Sequence, residues 1–143
     1  MEQKTFSLEE ANKILPKVQP LLEKVLEVNE KIKAANNDIT ILEEIWGERI
    51  NQPGNPDNRL YNKKITVIKE KSKELERHIE KINEIGGIVK DLNQGLVDFY
   101  HEKDGELVFL CWKHGEDKIK YWHTLGGGYT GRRSLDEIGI KTK

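Results

Sequence analysis

The 143-residue sequence predicts an α+β fold: a long antiparallel, coiled-coil-like helical hairpin with a small C-terminal antiparallel β meander packed at its base. Three observations predict it. Apolar residues recur every seven positions, in two offset series, from Val18 to Trp46. The stretch "NQPGNPDN" interrupts that pattern, and a second apolar seam resumes behind it. Beyond Gly86 and Gly87 the period falls to two, and aromatic and β-branched residues take over, as strands require.

The first helix opens at Ser7, with Glu10 three residues on, the spacing of a capping box. Phe6 and Ala11 stand where a weak hydrophobic staple forms. Pro16 has no N–H to donate, so a short helix at about 8–15 is expected to lead into a longer one at about 16–50. In that longer helix Val18, Val25, Ile32, Ile39 and Trp46 form one heptad series, and Leu21, Val28, Ala35 and Leu42 the other. Together they make the seam of helix-on-helix packing. Pro53, Gly54 and Pro56 end it, and Asn55 before Pro56 suits the start of a second helix at about 56–85. There Tyr61, Ile65, Ile68, Ser72, Leu75, Ile79 and Ile82 alternate steps of four and three. Folded at the turn, the seams match: Leu42 with Ile65, Ile39 with Ile68, Ala35 with Ser72, Ile32 with Leu75, Val28 with Ile79, Val25 with Ile82. At 1.5 Å per residue the hairpin is about 45 Å long. Ile41, Ile45, Leu60 and Val67 lie off the seam near the tip and suggest contact with a second copy of the chain. Leu22, Leu26 and Ile85 lie off it near the base and suggest packing on the C-terminal region.

Gly86 and Gly87 suit the end of the second helix. "LVDFYHE" and "ELVFLCW" flank Asp104-Gly105, a strong hairpin signal. A two-residue loop sets Tyr100 opposite Phe109, Phe99 opposite Leu110 and Asp98 opposite Cys111. "KIKYWHT" makes the third strand, with Ile119, Tyr121 and His123 on one face, and "IVKDL" is a candidate extra strand. The region 86–133 is therefore read as a β cap with a Gly-rich loop, "LGGGYTGRR". Residues 134–143 are read as a flexible tail in which Ser134 and Glu137 repeat the capping-box spacing.

Composition excludes some functions. With 24 Lys and Arg against 25 Asp and Glu, the net charge is -1, so no global field favours nucleic acid or an anionic membrane. No apolar run reaches transmembrane length, and the N-terminus lacks the apolar core of a secretory signal. The single cysteine excludes an internal disulfide and suits a reducing compartment. A cytoplasmic protein is expected.

The segments "FSLEEANKILP", "GLVDF", "LCWKHGE", "YWH" and "GYTGRR" resemble, in this order, a prokaryotic family catalogued as domain of unknown function 2203. The resemblance spans nearly the whole chain. It implies a small cytoplasmic prokaryotic protein and transfers no activity, ligand or catalytic residue.

The chemistry concentrates in the C-terminal third. Asp98, Glu116, Tyr121, His123, Tyr129, Arg132 and Arg133 are the candidate ligand-binding residues. Glycines expose backbone N–H groups and arginines offer forked donors to an anion, while Tyr121, Trp122 and Tyr129 supply stacking faces. The loop lacks the Lys-Ser/Thr ending of a phosphate-binding P-loop. Asp98, Cys111 and His123 are metal-ligand types on neighbouring strands, and Cys111 with His123 and Asp98 can be written as a nucleophilic triad. No tight ligand spacing such as CxxC or HxxxH supports either, and a lone strand cysteine is more often a core residue. No metal, cofactor or catalytic residue is assigned. Two classes of function stand. One is a binding or interaction module, dimerising through the hairpin and taking a partner, a small anion or nucleic acid in the β cap. The alternative is a small hydrolase- or transferase-like enzyme with a site at Asp98, Glu116, His123 and Arg132.

Overall fold

The computed structural model describes residues 4–135. Its elements are helix α1 (Leu8–Trp46), a 3-10 helix (Gly47–Asn51), helix α2 (Asn58–Ile85), strands β1 (Ile88–Asp91), β2 (Leu96–Lys103), β3 (Glu106–Lys113) and β4 (Tyr121–Thr124), a 3-10 turn (Tyr129–Gly131) and strand β5 (Arg133–Ser134). The fold is α+β, as expected. Contacts divide the chain into two compact units, Lys24–His78 and the rest. The flexible tail read at 134–143 does not begin there: Ser134 belongs to β5, and Leu135 is buried with its N–H bonded to the Lys120 carbonyl; from 136 onward, Glu137 included, the tail lies outside the described residues.

Local signals at the helix ends are realised. Ser7 Oγ accepts the Glu10 N–H at 3.0 Å and Glu10 accepts the Ser7 N–H at 2.8 Å, completing the capping box. At the end of α2, Gly87 N–H reaches the Ile82 carbonyl at 3.0 Å and Gly86 N–H the Asn83 carbonyl at 3.0 Å, the two bonds of a Schellman motif. Gly86 has φ +119°, and a Cβ there would lie 2.2 Å from Phe6 Cζ, so both conformation and space demand glycine.

The expected break at Pro16 does not occur. α1 runs unbroken from Leu8 to Trp46 with Pro16 and Pro20 inside it. Both prolines are exposed, so water can hydrate the carbonyls they leave without a donor, while the opposite stripe of Leu8, Ala11, Leu15, Val18 and Leu22 is buried. That burial outweighs the lost backbone bonds. α1 also stops at Trp46 rather than near 50, because Gly47 takes φ +56°. α2 starts at Asn58 rather than 56, with Asn55 Oδ1 holding the Asp57 N–H at 2.8 Å in the turn before it.

Within Lys24–His78, the tip is closed by a cluster of Leu42, Ile50 and Tyr61, against which Ile39, Trp46 and Ile65 pack. Leu42 from α1 and Tyr61 and Ile65 from α2 thus share one cluster. Polar bonds pin the same end: Trp46 Nε1 donates to Asp57 at 2.8 Å, Asn58 Nδ2 to the Ile50 carbonyl at 2.8 Å, and the Tyr61 hydroxyl to Glu43 at 3.0 Å.

The other unit holds a five-stranded antiparallel sheet in the order β1-β2-β3-β4-β5, two strands more than the expected meander. The candidate strand at "IVKDL" is β1. The two-residue strand β5 went unread because it is too short to show a period. Asp104 and Gly105 both take positive φ, 51° and 82°, which sets the predicted register: Asp98 pairs with Cys111, Phe99 with Leu110 and Tyr100 with Phe109. The third strand is shorter than expected, and Ile119 lies outside it. Alternation puts Val97, Phe99, Leu110, Trp112 and Trp122 on one face and Leu96, Asp98, Phe109, Cys111 and His123 on the other; all ten are buried. The first face meets the helical base, where the Phe6 and Phe99 rings lie edge to face at 5.8 Å. Among the described residues, no helix is long and apolar enough to cross a membrane.

Candidate functional site

The second face of the sheet carries the chemistry. Asp98 and Cys111 are direct partners across β2 and β3. His123 pairs with Phe109, two residues from Cys111, so strand alternation brings it to the same face. One ligand atom from each of Asp98, Cys111 and His123 lies within 4.8 Å of the other two. These residues form the floor of a pocket of about 240 Å³, whose other walls are Lys90, Asp91, Leu96, Leu125, Gly128 and Tyr129. Three of the wall residues come from the Gly-rich segment after β4. Its glycines let the segment fold back over this face of the sheet.

The histidine's hydrogens follow from its neighbours. His123 Nδ1 lies 2.7 Å from the Thr124 carbonyl oxygen. A carbonyl only accepts, so Nδ1 carries a hydrogen and donates it. Nε2 then faces Asp98 Oδ2 at 2.9 Å. A bare nitrogen lone pair against a carboxylate oxygen would repel, so a proton sits between them, on either the imidazole or the carboxyl. Burial raises the Asp98 pKa, against the lowering pull of His123, the Cys111 thiol and Lys90, which favours retention of that proton. Asp98 Oδ1 has no hydrogen-bond partner although Asp98 is 1% exposed. The Cys111 thiol is pushed up to about 12, mainly by burial and then by the Asp98 charge. A thiol held protonated at neutral pH is a poor nucleophile, so the triad is assembled in space but not activated.

A second pair flanks the pocket. Arg132 Nη2 contacts both Glu116 carboxylate oxygens, at 2.8 and 3.0 Å, and the Cys111 carbonyl at 3.4 Å. Its guanidinium lies 4.0 Å from the Tyr121 ring centroid and 5.1 Å from that of Tyr129. Burial is the largest influence on Arg132 and opposes its charge, but the Glu116 hydrogen bond, the nearby charges of Cys111 and Glu116 and the Tyr129 hydroxyl together outweigh it and leave the pKa raised. Glu116 is no solvated turn residue: it also accepts the Lys113 N–H at 2.6 Å, and its carbonyl accepts Trp112 Nε1 at 2.9 Å.

Of the seven residues singled out in the sequence, Asp98, His123 and Tyr129 line the pocket, and Glu116, Tyr121 and Arg132 form the clamp beside it. The sequence reading that the glycines fold the loop back, so that Arg132 approaches both His123 and Glu116 under Tyr129, holds for Glu116, whereas His123 pairs with Asp98. Arg133 stands apart: it is exposed, pairs across from Trp122 and has its guanidinium 5.6 Å from that ring, on the opposite face. Lys90 and Asp91 were missed as wall residues. The signal for them was the extra strand at "IVKDL", and the irregularity in pairing between Val89 and Asp91 gives that strand edge its local turn.

A family model described as "Uncharacterized conserved protein (DUF2203)" matches residues 4–135. No curated protein and no solved structure matches the chain.

Proposed function

Since the chain belongs to the DUF2203 family of uncharacterized conserved proteins, we propose from the geometry that it is a binding module whose β cap takes one small anionic ligand in the pocket floored by Asp98, Cys111 and His123. The carrying observation is the convergence of these three buried side chains under the Gly-rich segment, in a pocket whose rim holds the exposed Lys90. The proton shared by His123 and Asp98 and the Lys90 ammonium both favour an anion. Arg132 acts as a positioning residue, because its Nη2 is held by both Glu116 carboxylate oxygens and the Cys111 carbonyl. It stacks with Tyr129 and so holds the wall in place. The enzyme reading loses its nucleophile with the high pKa of Cys111.

The test is an amide-resonance titration with phosphate, a dicarboxylate and a nucleotide. Shifts should cluster at Lys90, Asp91, Leu125, Gly128 and Tyr129. Lys90→Glu should weaken binding at least tenfold, the order expected for one charge-assisted hydrogen bond. Shifts confined to Arg133 or the hairpin, or an absence of any shift, would overturn the reading.

The hairpin tip supports dimerisation with a second copy. Ile41, Ile45 and Leu60 are 48%, 57% and 45% exposed, and two helices with one short turn leave nothing else in Lys24–His78 to cover them. Ile45→Glu should yield a monomer by light scattering with helix content unchanged. A monomeric parent at high concentration would refute this part.

A further inference from the structure

We propose that Asp98, Cys111 and His123 form a mononuclear site for a divalent transition metal of the zinc class, with its fourth position open to the pocket. The inference rests on reading that pocket as a binding site and goes on to name its central ligand.

Four features of the site point to it. The donor set is one carboxylate oxygen, one sulfur and one imidazole nitrogen, a mixture that suits zinc and excludes the oxygen-seeking calcium and magnesium. The three donor atoms lie within 4.8 Å of one another. Around zinc, bond lengths of 2.0–2.3 Å put such ligand atoms about 3.3–3.7 Å apart, so the Nε2–Oδ2 contact, now 2.9 Å, opens slightly, the wider separations close, and no atom need move more than about an ångström. His123 is already in a ligand's pose: the Thr124 carbonyl takes the Nδ1 hydrogen and fixes the tautomer that leaves Nε2 as a donor atom, as backbone carbonyls do behind ligating histidines. Finally, Asp98 Oδ1 is buried with no hydrogen-bond partner, a costly arrangement in a protein interior that a metal ion would satisfy.

The charge balance closes as well. Without metal the site holds two acidic protons, the Cys111 thiol hydrogen and the one shared by His123 and Asp98. Binding one M²⁺ forms bonds to the thiolate, the neutral imidazole and the carboxylate, and releases both protons to solvent. Two positive charges leave and two arrive, with no oxidation or reduction. The buried site thus keeps its net charge, and the neighbouring Glu116–Arg132 pair is not unbalanced. The pocket beyond the open position admits water or the anion proposed above as fourth ligand.

The test uses the whole chain, stripped with chelator and titrated with Co²⁺. One ion per chain should bind, with a near-ultraviolet thiolate-to-cobalt charge-transfer band, release of two protons per ion in weakly buffered solution, and bleaching by Zn²⁺. Cys111→Ser and Cys111→Ala, both small enough for this core, should lose the band. His123→Ala should lose binding, and if that variant fails to fold, the two cysteine variants still decide. No charge-transfer band in the parent, or a band that survives in Cys111→Ala, overturns the metal site. If phosphate nonetheless shifts the Lys90 and Gly128 amides, the pocket reading stands without the metal. If phosphate too is silent, both fall.

Discussion

In the unit that contains the sheet, Phe99, Leu110, Trp112, Val97, Asp98 and Cys111 are all less than 2% exposed. In Lys24–His78, the seam residues Ile32, Ile39, Ile65, Ile68 and Leu75 remain half-buried, although they are as apolar as anything in the sheet. The difference is one of layers. The sheet has helix on one face and the Gly-rich segment on the other, so both sets of alternating side chains leave water. A pair of helices has one shared seam and no third layer, so Val25, Val28, Ala35 and the tip cluster are dry while the larger side chains between them keep an edge in water. Such a hairpin draws less stability from each apolar residue. The sheet unit can therefore carry buried polar groups that would be untenable in the hairpin. Asp98 and His123, both charged or proton-sharing, sit where the most apolar area is buried around them.

The largest expected effect tests that contrast directly. Trp112 is fully buried and its Nε1 donates to the Glu116 carbonyl. Trp112→Ala should cost about 3–5 kcal/mol and release the Glu116 end of the clamp, measured by urea unfolding. A loss near 1 kcal/mol would mean that the sheet is no better packed than the hairpin.

Ile32→Ala, in a half-buried seam, should cost about 1–2 kcal/mol, less than the ~2–5 kcal/mol of a fully buried isoleucine. A cost in the higher range would show that the seam is covered in solution, which the dimer would explain, and its concentration dependence would separate the two.

The third effect is smaller and depends on pH. Asp98 has its pKa raised in the folded protein, mainly by burial. Between the ordinary carboxylate value and the raised one, the folded state binds more protons than the unfolded chain. The stability linked to this group is therefore full below the ordinary value and is lost as pH rises through the raised one. Asp98→Asn, whose amide can donate to His123 Nε2 in place of the shared proton, should flatten that decline. Urea midpoints in chelator across mildly acidic to neutral pH measure it. Equal slopes in parent and variant would place the dependence elsewhere.

Local grammar was legible in the sequence because each signal acts within a few residues. Ser7 and Glu10 cap across three positions, Gly86 and Gly87 close the helix behind them, and Asp104-Gly105 sets a turn that fixes the β2–β3 register, Asp98 opposite Cys111 included. The two helices were legible because their apolar spacing is periodic, and the α+β class follows from the change of period. What only the tertiary structure decided depends on contacts between residues far apart in sequence. Whether Pro16 ends a helix turns on how much apolar surface the other side of α1 buries. Whether His123 faces Asp98 or Arg132 turns on which strand neighbours it and on a carbonyl that claims Nδ1. Whether Arg132 is a free anion receptor or a clamp turns on Glu116, sixteen residues away. Sequence names the donors and acceptors, but their pairing is settled by burial, where a polar atom without a partner is costly and only the folded chain determines which are in reach.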